Sequence, residues 1–266
     1  MKEISLEESK EIQIGIMKFI HNFCVKNNIR YSLAYGSAIG AIRHKGFIPW
    51  DDDIDIMLLR EDYNRFITLF EDADGVYKLR SLENDKNYVL PFAKVEDTRT
   101  VMEESSNLGN TGIFVDVFPV DDLFDGKEES IRFVLKLSFL KKCYISKTIR
   151  SMKSFSLYKI PVLWLLKIIL VFVPVRFLAE KWTMMGKKGK EGSGYVASLY
   201  GAYKEKEVME RNIFSTFITV PFEKEIFFIV EAYDRYLCHI YGDYMKLPPE
   251  DKRHSPHGIS KIYWKK

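Results

Sequence analysis

Cysteine is scarce in this sequence, and no two cysteines have the spacing of a metal-binding or redox motif. The three that occur, Cys24, Cys143 and Cys238, are isolated from one another. An odd number of scattered cysteines argues against a disulfide framework and against a zinc site, and it suits a reducing compartment. The polar opening stretch, residues 1–11, has no apolar core of a secretion signal. We therefore expect a cytoplasmic protein.

A large excess of one charge is also absent. The chain has 40 basic and 37 acidic residues, which leave a formal net charge of +3 over 266 residues. A protein that binds nucleic acid through charge alone has a stronger basic excess, so we expect no nucleic-acid partner. Apolar residues make up 47% of the chain and charged residues 29%, which is ordinary for a globular protein.

No apolar run reaches the length of about 20 residues that a membrane-spanning helix needs. The most apolar window, 160–175, contains Lys167 and is bracketed by Pro161 and Pro174. Two interpretations are open: a helix buried in the core, or a helix in the membrane interface with basic flanks near anionic headgroups. We expect burial, because a large domain must enclose some helix. Peripheral contact with the inner face of the cell membrane is the alternative.

Against these absences stands a dense group of acids. Asp51, Asp52, Asp53 and Asp55 fall within five positions and lead directly into the apolar stretch 54–58. Carboxylates this close repel one another unless a cation lies between them. Mg²⁺ takes a few carboxylates and keeps other positions for water and phosphate oxygens. On a strand, Asp53 and Asp55 point to the same face. A solvated acidic loop is the less favoured alternative, because a charge within a buried strand needs a reason.

A turn of small residues precedes the acids. Residues 31–35 are predicted as a short strand, Gly36-Ser37 as a turn, and 37–44 as a short helix. Glycine lets a ligand approach the backbone, and the free N–H groups at a helix start favour an anion. Such a turn is weak evidence alone, and it gains its value from the acids that follow.

A further aspartate interrupts a later apolar strand. Asp116 stands between two valines in the predicted strand 112–118. A lone carboxylate there is costly if it is only structural, but it has a use as a third metal ligand or a general base. Asp53, Asp55 and Asp116 thus form a predicted triad that faces the phosphate-holding turn. Metal-assisted phosphoryl or nucleotidyl transfer needs these parts. Glycoside hydrolysis, which needs two separated acids, fits less well.

The remaining elements follow from hydrophobic periodicity. We predict helices at 6–27, 60–73, 128–150 and 223–241, strands at 77–81, 88–95 and near 100–103, and a turn at 106–112. The predicted division is a catalytic core at 1–125, a helical insertion with membrane-facing potential at 126–190, and a C-terminal helical segment and tail at 191–266. The tail residues Arg253, His254 and His257 lack a third ligand nearby, so a solvated or substrate-contacting role is favoured over a metal site.

These motifs resemble the signature of the LicD family of phosphotransferases. The resemblance covers four stretches: YGSAIGAIRHKGFIPWDDDIDIMLLREDYNRF (35–66), FAKVEDTRT (92–100), GIFVDVFPVDD (112–122) and YGDYMKLPPEDKR (241–253). Known members attach phosphocholine to bacterial surface polysaccharides, and the ribitol-phosphate transferases fukutin and fukutin-related protein are distant relatives. The resemblance gives little information on the segment from about residue 126 to about residue 220. The family often has small residues after Asp55, but this chain has Met-Leu-Leu-Arg at 57–60. We interpret this difference as a change in packing and not in chemistry.

The resemblance implies a fold, a reaction and a cofactor. The fold is α/β, a nucleotidyltransferase-like core with a mixed β-sheet and an added helical region. The donor is a CDP-activated alcohol, with phosphocholine the favoured group. The acceptor is a sugar hydroxyl of a cell-surface glycan, such as teichoic acid, capsular polysaccharide or lipopolysaccharide, or of its lipid-linked precursor, and CMP is released. The cofactor is Mg²⁺, with Mn²⁺ as an alternative.

When the family's roles are assigned by motif position, the acids are the metal ligands. Asp53 and Asp55 would bind Mg²⁺, and Asp116 would be a third ligand or the base that activates the acceptor. Asp51 and Asp52 are ambiguous between the metal shell and a shell that orients it.

The same resemblance assigns the substrate-binding residues. Gly36 and Ser37 would hold donor phosphate, Lys94 would neutralise phosphate charge, and Arg43 and His44 would contact the leaving group. For Lys94 and Arg43 the alternative is an ordinary surface side chain. Two rival functions remain: a true nucleotidyltransferase that uses an NTP and releases pyrophosphate, and a non-catalytic, nucleotide-binding or membrane-docking subunit.

Overall fold

A mixed β-sheet lies at the centre of the fold. The computed structural model of the chain describes residues 2–102, 111–149, 160–253 and 261–265. In these ranges the helices are α1 (Leu6–Lys26), α2 (Tyr35–Ile39), α3 (Arg60–Leu69), α4 (Lys127–Thr148), α5 (Ile160–Ile169), α6 (Val175–Gly186) and α7 (Tyr233–Tyr241). The strands are β1 (Ser32–Leu33), β2 (Asp55–Leu59), β3 (Tyr77–Arg80), β4 (Ala93–Asp97), β5 (Thr100–Met102), β6 (Phe114–Asp122), β7 (Tyr195–Ala197), β8 (Met209–Glu210), β9 (Phe217–Phe222), β10 (Glu225–Val230) and β11 (Ile262–Trp264).

The main path of this sheet runs β1–β2–β6–β4–β3. Strands β2 and β6 are parallel, whereas the pairs β1–β2, β6–β4 and β4–β3 are antiparallel. Beyond this path, β7 pairs with the end of β6 and β8 pairs with β7. The predicted α/β core with a mixed sheet and added helices is therefore confirmed.

Helices α1 and α3 lie side by side against this sheet. Both pack on β6, and the ring centroid of Phe23 in α1 lies 5.6 Å from that of Phe66 in α3. At the start of β2 the burial alternates with a period of two. Ile54 and Ile56 are completely buried, and Asp55 between them keeps part of its surface exposed on the other face. The alternation therefore places the Asp55 carboxylate at the first position of an otherwise apolar strand.

Most predicted elements of the first half are confirmed with shifted ends. Helix α1 begins where predicted, because the Ser5 hydroxyl accepts a hydrogen bond from the Glu8 N–H at 3.1 Å and so caps the first turn. The strand predicted at 88–95 begins later, at β4, since Pro91 cannot donate to a strand ladder. The turn predicted at 106–112 falls largely outside the described residues.

The helix predicted over 223–241 is wrong in its first half. There the chain forms the hairpin of β9 and β10, and α7 starts only afterwards. Glu223 turns the hairpin with φ of 54°. Phe227 and Ile229 are buried, whereas Ile226, predicted on the inner face, is 58% exposed. Residues 226–230 are all apolar, so they satisfy the period of a strand as well as the helical spacing used for the prediction.

The prediction that the apolar window 160–175 is buried is also wrong. Within α5 only Leu163 is buried, because the helix packs against α4 with one side. Leu165 and Ile169 are 58% and 64% exposed, and Phe172 in the turn that follows is 95% exposed. Among the described helices, none combines the length and the apolar character needed to cross a membrane.

Candidate active site

Three of the predicted site residues lie side by side on three neighbouring strands. Asp55 on β2 is paired with Asp116 on β6, and Asp116 is paired on its other side with Lys94 on β4. Lys94 Nζ lies 3.2 Å from Asp116 Oδ1 and 3.0 Å from the centroid of the Phe114 ring. Lys94 is only 5% exposed, so the alternative of an ordinary surface lysine is wrong. We call these residues the Asp55–Asp116–Lys94 row.

Electrostatic repulsion acts on this row. The pKa of the Asp55 carboxyl is raised well above its usual value, first by burial and then by the charges of Asp53, Asp116 and Asp51, while Lys94 acts in the opposite direction. Several carboxylates therefore lie within reach of one another around a group that is largely enclosed. A divalent cation would relieve this repulsion, and carboxylate oxygens are the ligands that Mg²⁺ prefers. The donor set fits the predicted cofactor.

The loop before β2 adds a second group of carboxylates. Ligand oxygens of Asp51, Asp52 and Asp53 all lie within 4.8 Å of one another, and the three residues are half-buried. Gln13 of α1 donates a hydrogen bond to the Asp52 carbonyl oxygen at 2.9 Å, which ties this loop to the core. Asp51 and Asp52, ambiguous in the sequence, are thus neighbours of Asp53. The charges of Asp53 and Asp51 also raise the pKa of the Asp55 carboxyl, so this group lies near Asp55.

Gly36 and Ser37, at the start of α2, are fitted closely to the acids. The Asp55 N–H donates a hydrogen bond to Ser37 Oγ at 2.9 Å, and the Ser37 proton can still be donated to a ligand. A Cβ at Gly36 would collide with Asp51 Oδ2, so only glycine fits there without a shift. Tyr35 has φ of 46°, a strained value for a residue of this size. The helix predicted at 37–44 is confirmed with an earlier start, because α2 begins at Tyr35 and is followed by a wider, π-helical turn at Gly40–His44. The prediction that Gly36 and Ser37 form a turn is wrong, since both lie within α2.

Arg43 and His44 lie at the end of this helix, and Arg43 contacts the C-terminal tail. Arg43 donates hydrogen bonds to His44 Nε2 at 2.9 Å and to the Tyr244 carbonyl at 2.6 Å. The His44 ring packs near Trp50, and the Arg253 guanidinium lies over the same indole ring. Burial lowers the pKa of both Arg43 and His44, and the charge of Arg43 lowers that of His44 further. Their contact with a leaving group stays a prediction. His254 and His257 lie outside the described residues.

Aromatic side chains beside the carboxylates were missed by the sequence analysis. Phe118 follows Asp116 by two positions on β6 and therefore points to the same face. Its ring centroid lies 5.5 Å from that of Tyr35, which stacks on Tyr203 at 6.1 Å, and Tyr203 in turn lies 5.0 Å from Tyr241. We call these four residues the aromatic wall. Tyr35 and Phe118 flank predicted motifs and could have been found from them.

A buried acid lies behind the aromatic wall. Glu207 accepts hydrogen bonds from the Tyr35 hydroxyl at 3.0 Å and from the Tyr203 N–H at 3.1 Å. Burial raises the pKa of Glu207 to about 7, although both hydrogen bonds and the charge of Lys141 act to lower it. The pKa of Tyr203 is raised chiefly by burial, and the charges of Glu207, Asp55 and Asp51 add to this. Tyr203 in the aromatic wall is thus close enough to both Glu207 and the site carboxylates for their charges to raise its pKa.

The chain is similar to known proteins along its whole length. The family described as LicD/FKTN/FKRP, nucleotidyltransferase domain, matches residues 28–149. The lipopolysaccharide cholinephosphotransferase LicD of Haemophilus influenzae is 31% identical over 272 residues, with 99% of each chain covered. An uncharacterized protein of Rickettsia typhi is 40% identical over 129 residues, which are 48% of this chain and 40% of that protein. Because an end-to-end relative shares this identity and the family match spans the acids of β2 and β6, the chain belongs to the LicD family.

Proposed function

We propose that the protein transfers phosphocholine from CDP-choline to a sugar hydroxyl of a cell-surface glycan or its lipid-linked precursor, and releases CMP. The observation that carries the proposal is the Asp55–Asp116–Lys94 row, which brings two acids and a cation together beside Ser37 of α2. The end-to-end similarity to a lipopolysaccharide cholinephosphotransferase supports the choice of group and of acceptor class. We expect the reaction in the cytoplasm, at the inner face of the cell membrane.

In this proposal the acids hold a divalent cation. Asp53 and Asp55 would be ligands, Asp116 on the paired strand would be a third ligand or the base, and Asp51 and Asp52 lie beside Asp53. The ion would be Mg²⁺ or alternatively Mn²⁺. When bound, the ion would neutralise charge on the diphosphate of the donor.

The chain's own side chains then have distinct tasks. The Lys94 ammonium would balance charge on the transferred phosphate, and the Ser37 hydroxyl would donate a hydrogen bond to a phosphate oxygen. The oxygen of the sugar hydroxyl attacks phosphorus, the bond from phosphorus to the CMP oxygen breaks, and Asp116 accepts the hydroxyl proton. The contact of Lys94 with Asp116 supports this role, because a nearby cation favours the ionised carboxylate that a base requires.

The aromatic wall supports choline as the alcohol. A quaternary ammonium has no N–H to donate, so proteins recognise it with aromatic faces and nearby negative charge. Tyr35 and Phe118 are 8% exposed and Tyr203 is half-buried next to the carboxylates, and Glu207 lies behind them. The choline group would contact the Tyr203 ring, which is the most exposed of the three. Ribitol or glycerol would instead call for hydroxyl-binding polar groups.

The test is CMP release from CDP-choline, CDP-ribitol and CDP-glycerol, each with Mg²⁺ and a lipid-linked glycan acceptor. We expect CDP-choline to be used fastest, EDTA to stop the reaction, and Asp53→Ala to abolish it. Asp74→Ala, which removes an acid from an exposed turn, should leave turnover unchanged. Pyrophosphate release from CTP would favour the nucleotidyltransferase instead. Turnover by Asp53→Ala close to that of the unaltered protein would refute the metal site.

A further inference from the structure

The side of α5 that points away from α4 is apolar and exposed. Leu165, Ile168, Ile169 and Phe172 are between 58% and 95% exposed, and Phe177 at the start of α6 is 53% exposed. Together with Trp164, which is 54% exposed, they form what we call the α5 surface. Large apolar side chains so close together along an exposed helix indicate a binding surface, since soluble domains rarely leave such patches uncovered.

Basic side chains are interspersed with the α5 surface. The Lys167 ammonium lies 6.0 Å from the ring centroid of Trp164. Lys147 donates hydrogen bonds to the carbonyls of Leu170 and Val171, directly before Phe172. Lys181 follows Phe177 by one helical turn and is exposed. The apolar patch is thus set among cations.

Basic residues are also concentrated along the sequence in the segment that contains α5. Residues 141–190 contain 12 basic residues and one acidic residue, whereas the rest of the chain contains 28 basic and 36 acidic residues. A contact between two copies through the α5 surface would bring like charges together, which disfavours self-association. An apolar surface with a basic surround is complementary to a bilayer that carries anionic headgroups.

We infer that the α5 surface binds the interface of an anionic lipid bilayer. Helix α5 has ten residues and is therefore about 15 Å long, about half the thickness of a hydrocarbon core. It lies in the plane of the interface, with its apolar side chains among the acyl chains and its lysines at the headgroups. This binding concerns a surface outside the Asp55–Asp116–Lys94 row and does not depend on the transfer reaction.

Vesicle flotation tests the inference. The full chain is mixed with vesicles of phosphatidylcholine alone or with one third phosphatidylglycerol, and is centrifuged through a density step at 0.15 M salt. We expect the protein to float with the anionic vesicles and to stay at the bottom with the neutral ones. The double variant Leu165→Glu/Ile169→Glu should bind anionic vesicles at least about a hundredfold more weakly, because two apolar side chains are lost and two repelled charges are gained. Lys181→Gln should weaken binding about fivefold.

Ile226→Glu, which adds one negative charge, is the control for each of the two substitutions, because it places a glutamate on an exposed isoleucine in the β9–β10 hairpin. It should float as the unaltered protein does. Failure of the unaltered protein to float with anionic vesicles would overturn the inference, as would equal flotation of the double variant. So would a dimer in size-exclusion chromatography that the double variant converts to a monomer, since the surface would then join two copies. Flotation needs no turnover, so a negative result leaves the proposed reaction untouched.

Discussion

Replacing Asp55 by asparagine should make the protein more stable and inactive at the same time. Asp55 is flanked on the next strand by Asp116, and its carboxyl is also repelled by Asp53 and Asp51. Asparagine has nearly the same shape and removes the charge. The repulsion that a cation would otherwise relieve therefore disappears from the protein without metal.

The expected size follows from the strand spacing. Residues paired across neighbouring strands lie about 5 Å apart, and two charges at that distance in an effective dielectric of about 20 repel by about 3 kcal/mol. The nearby Lys94 offsets part of this repulsion. We expect Asp55→Asn to raise the free energy of unfolding by about 1–2 kcal/mol in EDTA, which corresponds to about 3–6 °C in the melting temperature of a chain of this size.

Mg²⁺ should reverse the order of stability. A ligand at a hundred times its dissociation constant stabilises the folded state by about 2.7 kcal/mol. The unaltered protein should therefore gain about 5–10 °C with Mg²⁺, and Asp55→Asn should gain much less because it has lost a ligand. Thermal unfolding is measured with EDTA and with Mg²⁺.

Asp62→Asn serves as the control for charge removal. Asp62 is also buried but forms ion pairs with Arg30 and Arg65, so its replacement should lower the melting temperature in both buffers. A lower melting temperature of Asp55→Asn than of the unaltered protein in EDTA would show that repulsion at Asp55 does not destabilise the fold, and an equal gain of both proteins from Mg²⁺ would show that Asp55 is not a ligand.

Two further predictions concern the aromatic wall and the acid behind it. Tyr203→Leu should raise KM for CDP-choline about tenfold, as expected for loss of one cation–π contact, whereas Tyr203→Phe should keep KM close to that of the unaltered protein; equal KM in the two variants would exclude this contact. Burial raises the pKa of Glu207 from its usual 4.5 to about 7 in the folded protein, so Glu207 contributes stability that is fully present below pH 4.5 and is lost as the pH rises through 7. The loss by pH 8 is about 3 kcal/mol, and Glu207→Gln, which cannot ionise, should lack this pH dependence in urea unfolding at pH 5 and pH 8. An unchanged dependence would assign it to other groups.

The central part of the fold was predictable because β2 and β6 carry two signals at once. Each is a short apolar strand, and each contains an acid whose burial is costly unless a cation or another polar group compensates its charge. The alternation of Asp55 with Ile54 and Ile56 indicated which side chains share a face. The parallel register of Asp55 with Asp116 was not predictable, because pairing between distant segments leaves no local pattern.

The surroundings of the carboxylates were less accessible to sequence analysis. Tyr203 and Glu207 reach the site from a stretch with no recognised motif, and only the folded chain brings them behind Tyr35. The hairpin of β9 and β10 was mistaken for a helix because apolar residues are so dense there that both periods are satisfied. In such stretches the type of element is decided by pairing partners, which the sequence does not name.

The net charge of +3 conceals an uneven distribution of charge along the sequence, which affects how the protein interacts with an anionic membrane. An excess of 11 positive charges in residues 141–190 and an excess of 8 negative charges in the rest nearly cancel in the total. Near an anionic bilayer these two parts experience opposite forces, so the α5 surface is attracted and the acidic remainder is repelled. Because electrostatic attraction between exposed charges is screened by salt, raising the ionic strength to 1 M should weaken flotation with anionic vesicles while the contribution of Leu165 and Ile169 remains.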